Sequence, residues 1–248
     1  MNVLVVGAGQ TGRWLGRGVD ADVAFADADP VAAREAASAL DARAIALDAG
    51  GTFDAVGFAV PMARLEQAIA EHANRAERAV FAVSKEMATP VRALGTHAPE
   101  QERVCLNPMF SPDDGPGTVA VVSDEPGPAI DAILEYLADA GNELVETTPQ
   151  EHDDAMATVH AGAEAAILAY AIQAGDVPDH FRTAISDQLD ELASALLEGD
   201  PSRQAEIQTT FDGATRIARA ATGLADADRA EVANLYREAA DRWRDRDG

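Results

Sequence analysis

The sequence predicts an α/β protein: an N-terminal Rossmann-type, doubly wound parallel sheet followed by an all-helical C-terminal domain. Three observations predict it. Short apolar runs alternate with helical patterns through the first 150 residues. The first of those runs empties into a glycine-rich turn, Gly7-Ala8-Gly9-Gln10-Thr11-Gly12. Beyond about residue 150 no strand-like run appears and helical periodicity takes over.

The strand candidates are NVLVVGAG, DVAFAD, ARAIALD, DAVGFAVP, RAVFAVSK, RVCLNP and TVAVVSD, each bounded by Gly, Pro or Asp. Between several of them lie helix candidates: TGRWLGRGV, PVAAREAASALD, MARLEQAIAEHA and PAIDAILEYLADAG. The last ends on Gly141, a natural C-terminal stop. Nearly continuous apolar strands are those of a parallel sheet buried on both faces. The second half reads as helices over EHDDAMATVHAGAEAAILAYAIQAG, HFRTAISDQLDELASALLEG, RQAEIQTTFDGATRIARAATG and DRAEVANLYREAADRWR. The expected domains are residues 1–148 and 149–248, with the boundary at Thr148–Gln150.

Composition narrows the partners. The 248 residues are 47% apolar, enough for a core. Acids outnumber bases 43 to 19, a net charge of −24, and Lys85 is the one lysine. Such a surface repels nucleic-acid phosphates. It also repels itself, which molar salt relieves by shortening the Debye length to about 3 Å. A high-salt cytosol is the expected setting. The reading finds no apolar run long enough to span a bilayer and no secretory leader at Met1, and it expects a cytoplasmic protein without membrane partners. Cys105 is the single cysteine, so no internal disulfide forms.

The glycine turn carries the cofactor expectation. Gly7 permits the tight turn, Gly9 lets backbone approach a pyrophosphate, and Gly12 lets helix pack on strand. Gln10 and Thr11 begin the helix whose N–H groups would face the phosphates. Asp27 ends the second strand, where a carboxylate accepts from ribose hydroxyls and repels a 2′-phosphate; Ala28, Asp29 and Pro30 follow, without an arginine. NAD is therefore expected over NADP. Ligands bind at the carboxyl ends of such strands. That rule makes Val60-Pro61, Ser84-Lys85 and Asn107-Pro108 neighbours along one crevice, with Asn107 to Phe110 lining it. Lys85 there either meets a substrate carboxylate or is a solvated loop lysine.

Three segments resemble the prephenate/arogenate dehydrogenase family, and together they cover most of the chain. LNPMFSP looks like that family's HPMFGP-type loop. TTPQEHDDAMATVH, residues 147–160, looks like its T-x-x-E-H-D-x-x-M-A-x-V-Q segment. DPSRQAEIQTTFDGA, residues 200–214, looks like its later Pro-x-x-Tyr-x-x-Ile-Gln stretch. The resemblance implies NAD-dependent oxidation with loss of carbon dioxide, in tyrosine biosynthesis, by a homodimer joined through the helical domain. It also implies a histidine in the first loop that accepts the hydroxyl proton and a second histidine that builds the substrate pocket. Here those positions hold Asn107 and Glu164, and Ser84 or Lys85 matches the family's serine loop, with Ala82 at its usual acid. Asparagine orients a hydroxyl but is no base at neutral pH. Glu164, one turn beyond His160, is a candidate substitute, and His160 and Arg182 are candidates for binding substrate.

His152, Met156, His160 and Glu164 form a stripe at a spacing of four, readable as an acid–base pair or as a surface ion pair. A metal is not expected, because ligands along one straight helix do not converge on a tetrahedral centre. Thr148 and Glu151 form a capping box, and His152 and Asp153 are read as fixing that helix start. MATVHAGAEAAILAYAI is apolar around too much of its circumference for a solvated helix, which points to a dimer interface. Two other functions stay open: a diverged relative acting on another small acid, and a silent NAD-binding sensor.

Overall fold

A computed structural model describes residues 1–19, 21–111 and 115–244. The chain divides into two compact units, Met1–Met156 and Ala157–Gly248. The sequence reading has its boundary eight residues earlier. The difference is one short helix whose His152 and Met156 are buried within the first unit.

The first unit is an eight-stranded sheet. Its strands are β1 (Asn2–Val6), β2 (Asp22–Ala26), β3 (Arg43–Ala44), β4 (Phe53–Phe58), β5 (Ala76–Val83), β6 (Glu102–Pro108), β7 (Thr118–Glu125) and β8 (Glu143–Glu146). They lie in the order β3-β2-β1-β4-β5-β6-β7-β8. Alternate side chains feed two cores, as the pleat requires. Val3, Val5 and Phe25 pack on one face with Trp14, Leu15, Ile130, Ile133 and Leu137. Leu4, Val6 and Phe58 pack on the other with Leu65, Ile69 and Leu94. The covering helices are α1 (Gln10–Arg17), α2 (Pro30–Ala39), α3 (Met62–His72), α4 (Ala88–His97) and α5 (Pro128–Asp139). A last helix, α6 (Pro149–Met156), closes the unit.

The sheet departs from an all-parallel one at a single seam. β7 runs antiparallel to β6, pairing Cys105 with Val122 and Asn107 with Ala120. Residues 109–117 between them are too few for a parallel crossover, which takes about a dozen residues and usually a helix. Helix α4 and edge strand β8 escape the sequence pattern. β8 is ELVE, with both glutamates exposed. The first N–H groups of α4 are shared between two carboxylates: Glu86 Oε1 accepts from Thr89 N at 2.8 Å, and the distant Asp153 accepts from Met87 N through Oδ1 at 2.8 Å and from Ala88 N through Oδ2 at 3.1 Å. β3 is only two residues of the longer run read as a strand.

The second unit is helical: α7 (Ala163–Gln173), α8 (Ala184–Leu197), α9 (Pro201–Thr210), α10 (Gly213–Asp226) and α11 (Arg229–Arg244). The stretch read as one helix over residues 203–223 breaks at Phe211–Asp212. Gly213 explains the break's position: a Cβ there would lie 2.4 Å from Gly162 N, so α10 starts hard against the segment before α7. Little of this unit's apolar surface is covered. Ile172, Phe181, Ile185, Leu192, Leu197, Tyr236 and Trp243 are all exposed. The helical run Pro149–Gln173 holds 25 residues with a mean hydropathy of 1.3 in its most apolar window. By length and composition it passes the test for a membrane crossing, which corrects the reading that no apolar run is long enough.

Candidate active site

The glycine turn between β1 and α1 is built by two of its three glycines. Gly7 has φ +101°, a conformation that favours glycine, and a Cβ on it would meet Ala59 O at 2.3 Å. A Cβ on Gly12 would lie 1.9 Å from Gly7 O. Gly9 differs: its φ of −71° suits any residue, and a Cβ there meets nothing within 4 Å. Packing within the protein therefore does not explain Gly9, whereas a ligand approaching the backbone does. Gly9 is also the N-cap of α1, where no side chain caps the first N–H groups. Gln10 and Thr11 open that helix. The N–H groups and positive dipole end of a helix start favour an anion.

Asp27 braces this turn from β2. Its Oδ2 accepts from Ala8 N at 2.7 Å and its Oδ1 from Asp29 N at 2.8 Å. A carboxylate offers about four lone-pair positions, so capacity for ribose hydroxyls is left. β4 leaves the sheet beside the turn, with Ala59 N donating to Val6 O at 2.8 Å and Val60 within reach of a Cβ on Gly7. Pro61 then stands at the N-cap of α3.

The next two strand exits are tied together. Ser84 N donates to Leu106 O at 3.0 Å, and Lys85 Nζ donates to Pro108 O at 2.6 Å. Ser84 itself is buried, its Oγ accepting from Glu86 N. Lys85 is half-buried, so the picture of a solvated loop lysine is set aside. Exits of β1, β4, β5 and β6 thus form a row three strand spacings wide, roughly 14 Å at about 4.8 Å each.

Phe110 does not line the row as the sequence reading has it. Its ring packs edge-on to Trp14 of α1, centroids 6.0 Å apart, and fills the space that lets Gly115 and Gly117 carry no side chain. Met109 is 42% exposed. The last residue of the LNPMFSP motif, Pro112, lies outside the described residues.

Asn107 is wholly buried at the end of β6. Its Nδ2 lies 2.9 Å from His152 Nε2, and His152 Nδ1 lies 2.8 Å from Asp153 Oδ1. The roles follow from Asp153, which accepts from two backbone N–H groups and so is an acceptor towards His152 as well. The ring proton then sits on Nδ1, Nε2 offers its lone pair, and the amide nitrogen of Asn107 donates to it. Met109 and Met156 sulfurs flank the same nitrogen at 3.4 and 3.6 Å. Asn107 Oδ1 faces the other way, buried and with no hydrogen-bond partner.

His152 is the residue sequence reasoning undervalued. Thr148 alone fixes the start of α6, its Oγ1 accepting from Glu151 N at 3.2 Å. His152 and Asp153 instead serve Asn107 and α4. The intact E-H-D spacing was the available signal, but only the fold brings it against residue 107. Two neighbours respond to the same buried surroundings. Burial, with the nearby Asp153 charge, raises the Glu86 carboxyl above its usual range. Burial likewise pushes the Cys105 thiol up.

The remaining candidates belong to the helical unit. His160 Nε2 and Glu164 Oε1 are 3.0 Å apart, and Glu164 Oε2 is buried with no hydrogen-bond partner. His160 sits in a π-helical segment, Ala157–Gly162. A π turn adds a residue to the helical period, so the stripe read at a spacing of four across 152–164 does not survive as one straight line. Arg182 donates from Nε to Asp187 Oδ1 at 2.8 Å and from Nη2 to Asp190. Glu191 and Glu198 line the same surface hollow. Within its unit, Arg182 is thus paired with and surrounded by acids.

No protein-family model matches the chain. Over 84 residues it is 37% identical to a 4-amino-4-deoxyprephenate dehydrogenase of Streptomyces pristinaespiralis, a stretch spanning 32% of this chain and 28% of that relative's length. Its fold matches prephenate dehydrogenase from A. aeolicus in complex with hydroxyphenyl propionate and NAD+, with a TM-score of 0.73 at 14% identity over 98% of each chain. It also matches Synechocystis arogenate dehydrogenase, with a TM-score of 0.71 at 14% identity over 100% of this chain and 99% of the other. The chain is thus similar in fold, along its length, to the prephenate and arogenate dehydrogenases, and about a third of it is similar in sequence to a 4-amino-4-deoxyprephenate dehydrogenase.

Proposed function

We propose that the protein is an NAD-dependent dehydrogenase that oxidatively decarboxylates prephenate or arogenate, serving tyrosine biosynthesis. The observation that carries this reading is the row of strand exits. It begins at a glycine turn with room for a ligand at Gly9 and ends at a buried amide, Asn107, whose oxygen lacks a donor. Gly7, Gly9, Gln10, Thr11 and Gly12 would hold the pyrophosphate, Asp27 the adenosine ribose, and Val60 and Pro61 the middle of the dinucleotide. NAD, when bound, supplies the hydride acceptor. Ser84 and Lys85 hold the end of β6 that carries Asn107, and Asn107 Oδ1 orients the ring hydroxyl of the substrate. An uncharged acceptor leaves the choice between the two acids to their other substituents.

A homodimer through the helical unit accounts for its many exposed apolar side chains, since such surface is normally covered by a partner. The net charge of −24 supports a cytosolic setting of high salt and argues against nucleic-acid partners. The test is NADH formation in molar KCl from NAD with prephenate and, separately, arogenate. Appearance of NADH with either acid supports the reading. NAD binding with neither acid turned over removes it.

A further inference from the structure

An oxidation of a ring hydroxyl needs somewhere to put a proton, and Asn107 is no base. This inference rests on the proposed reaction and concerns the route that proton takes. Three observations bear on it. Asn107 Oδ1 is buried without a donor, an unfavourable state that asks for a partner from outside the chain. Asn107 Nδ2 is held 2.9 Å from His152 Nε2. His152 is only 4% exposed, and its other nitrogen is fixed by Asp153 at 2.8 Å. An imidazole with one nitrogen on a carboxylate and the other offering a lone pair is the arrangement of a general base. Here the lone pair points at an amide rather than at open space.

We infer that His152 is the terminal proton acceptor of the reaction, reached through the Asn107 amide, with Asp153 as its positioning partner. As hydride leaves the ring carbon with its bonding pair for the oxidised nicotinamide, the hydroxyl proton passes to Asn107 Oδ1. In the same event an Nδ2 proton passes to His152 Nε2, and the amide becomes its imidic acid tautomer. The O–H bonding pair becomes the second bond of the ring carbonyl. The bond to the departing carboxylate then breaks, carbon dioxide leaves, and its electron pair makes the ring a phenolate. The proton returns along the amide to that oxygen, so substrate and NAD yield phenol, carbon dioxide and NADH with no net proton. Among the described residues, Asp153 on the same helix bonds His152, Glu86 ahead of α4 feels the charge of Asp153, and the Cys105 thiol of β6 is pushed towards its protonated form by burial and by these acids.

The experiment is the pH profile of kcat/KM for the turned-over acid, in molar KCl, for four proteins. Wild type is expected to lose activity with a slope of one as His152 protonates on the acid side. His152→Gln is expected to be about 10²- to 10⁴-fold slower, with that acid limb gone. A merely structural role lowers the rate but leaves the limb. Asn107→Leu keeps His152 and cuts the amide, and is expected to lose rate to the same degree. Asn107→His places an acceptor at the ring directly, and the Asn107→His/His152→Gln double variant is expected to regain the rate that His152→Gln loses. If His152→Gln does not fold, the Asn107 variants and the ¹⁵N shift of His152 Nε2 in wild type decide, the shift expected being that of an unprotonated acceptor. An acid limb retained in His152→Gln, full rate in Asn107→Leu, or a protonated Nε2 at neutral pH overturns the inference and leaves the proposed reaction standing. Absence of NADH from either acid in wild type overturns the reaction itself.

Discussion

Alanine at Gly9 and alanine at Gly12 have opposite expected consequences, although one motif holds both. At Gly9 the backbone already suits alanine, and a Cβ meets no atom within 4 Å. Loss of glycine's freedom in the unfolded chain is worth about 0.4–1 kcal/mol in favour of the variant. Against it, alanine is a poorer N-cap than glycine by roughly 0.5–1 kcal/mol. The two nearly cancel, so Gly9→Ala should melt within about 2–4 °C of wild type. Its Cβ nevertheless stands where the pyrophosphate would approach. Overpacking there costs about 1–3 kcal/mol, which weakens NAD about 5- to 150-fold. At Gly12 a Cβ would sit 1.9 Å from Gly7 O, a backbone atom that cannot step aside. Gly12→Ala should therefore lose about 1–3 kcal/mol of stability, or more. The assays are thermal melting without ligand and calorimetric NAD titration, both in molar KCl. Undiminished NAD affinity in Gly9→Ala, or destabilisation equal to that of Gly12→Ala, refutes the assignment of Gly9 to the ligand.

Three further expectations test the surroundings of the site. Arg103 is buried at the entry to β6, bonded to Asp124 at 2.6 Å and, through Nη1, to the carbonyls of Ala98, Pro99 and Gln101, each at 3.0 Å. A lysine cannot reproduce that fork, so Arg103→Lys should cost about 1–3 kcal/mol in urea denaturation. Glu86 has a folded pKa raised by burial, so the native state holds its proton more tightly than the unfolded chain does. Stability from this group is present below its ordinary value of 4.5 and fades as pH rises through the folded value; Glu86→Gln should melt at or above wild type at pH 7, with the difference closing towards pH 4.5. The melting temperature of wild type should climb between 0.1 M and molar KCl, because the screening length falls from about 10 Å to about 3 Å across that range; a melting temperature indifferent to salt would contradict the role given to the −24 charge.

Much of the fold is written in short-range pattern. β1, β2, β4, β5 and β6 are near-continuous apolar runs, and both helices that follow Pro30 and Pro128 begin where proline suits a first turn. What stayed hidden depends on distant partners. α4 is capped by Glu86 beside it and also by a carboxylate some sixty-five positions away in the chain. β7 turns back because its connection is short, a matter of topology rather than of its own residues. The site divides the same way. Glycine positions and Asp27 could be placed from local geometry alone. The pairing of Asn107 with His152 could not, because forty-five positions separate them and only burial between β6 and α6 brings them together. Phe110 misled for a related reason: a large apolar residue at a strand exit serves a crevice or a core equally well, and Trp14 decides it.

The most direct test of the central claim follows the hydride itself. Prephenate or arogenate carrying deuterium on the ring carbon that bears the hydroxyl would be incubated with NAD and the protein in molar KCl, and the NADH examined by mass spectrometry. The account predicts one deuterium per NADH formed, with one carbon dioxide released alongside it. Unlabelled NADH, or label retained in the acid while NAD stays oxidised, would contradict it.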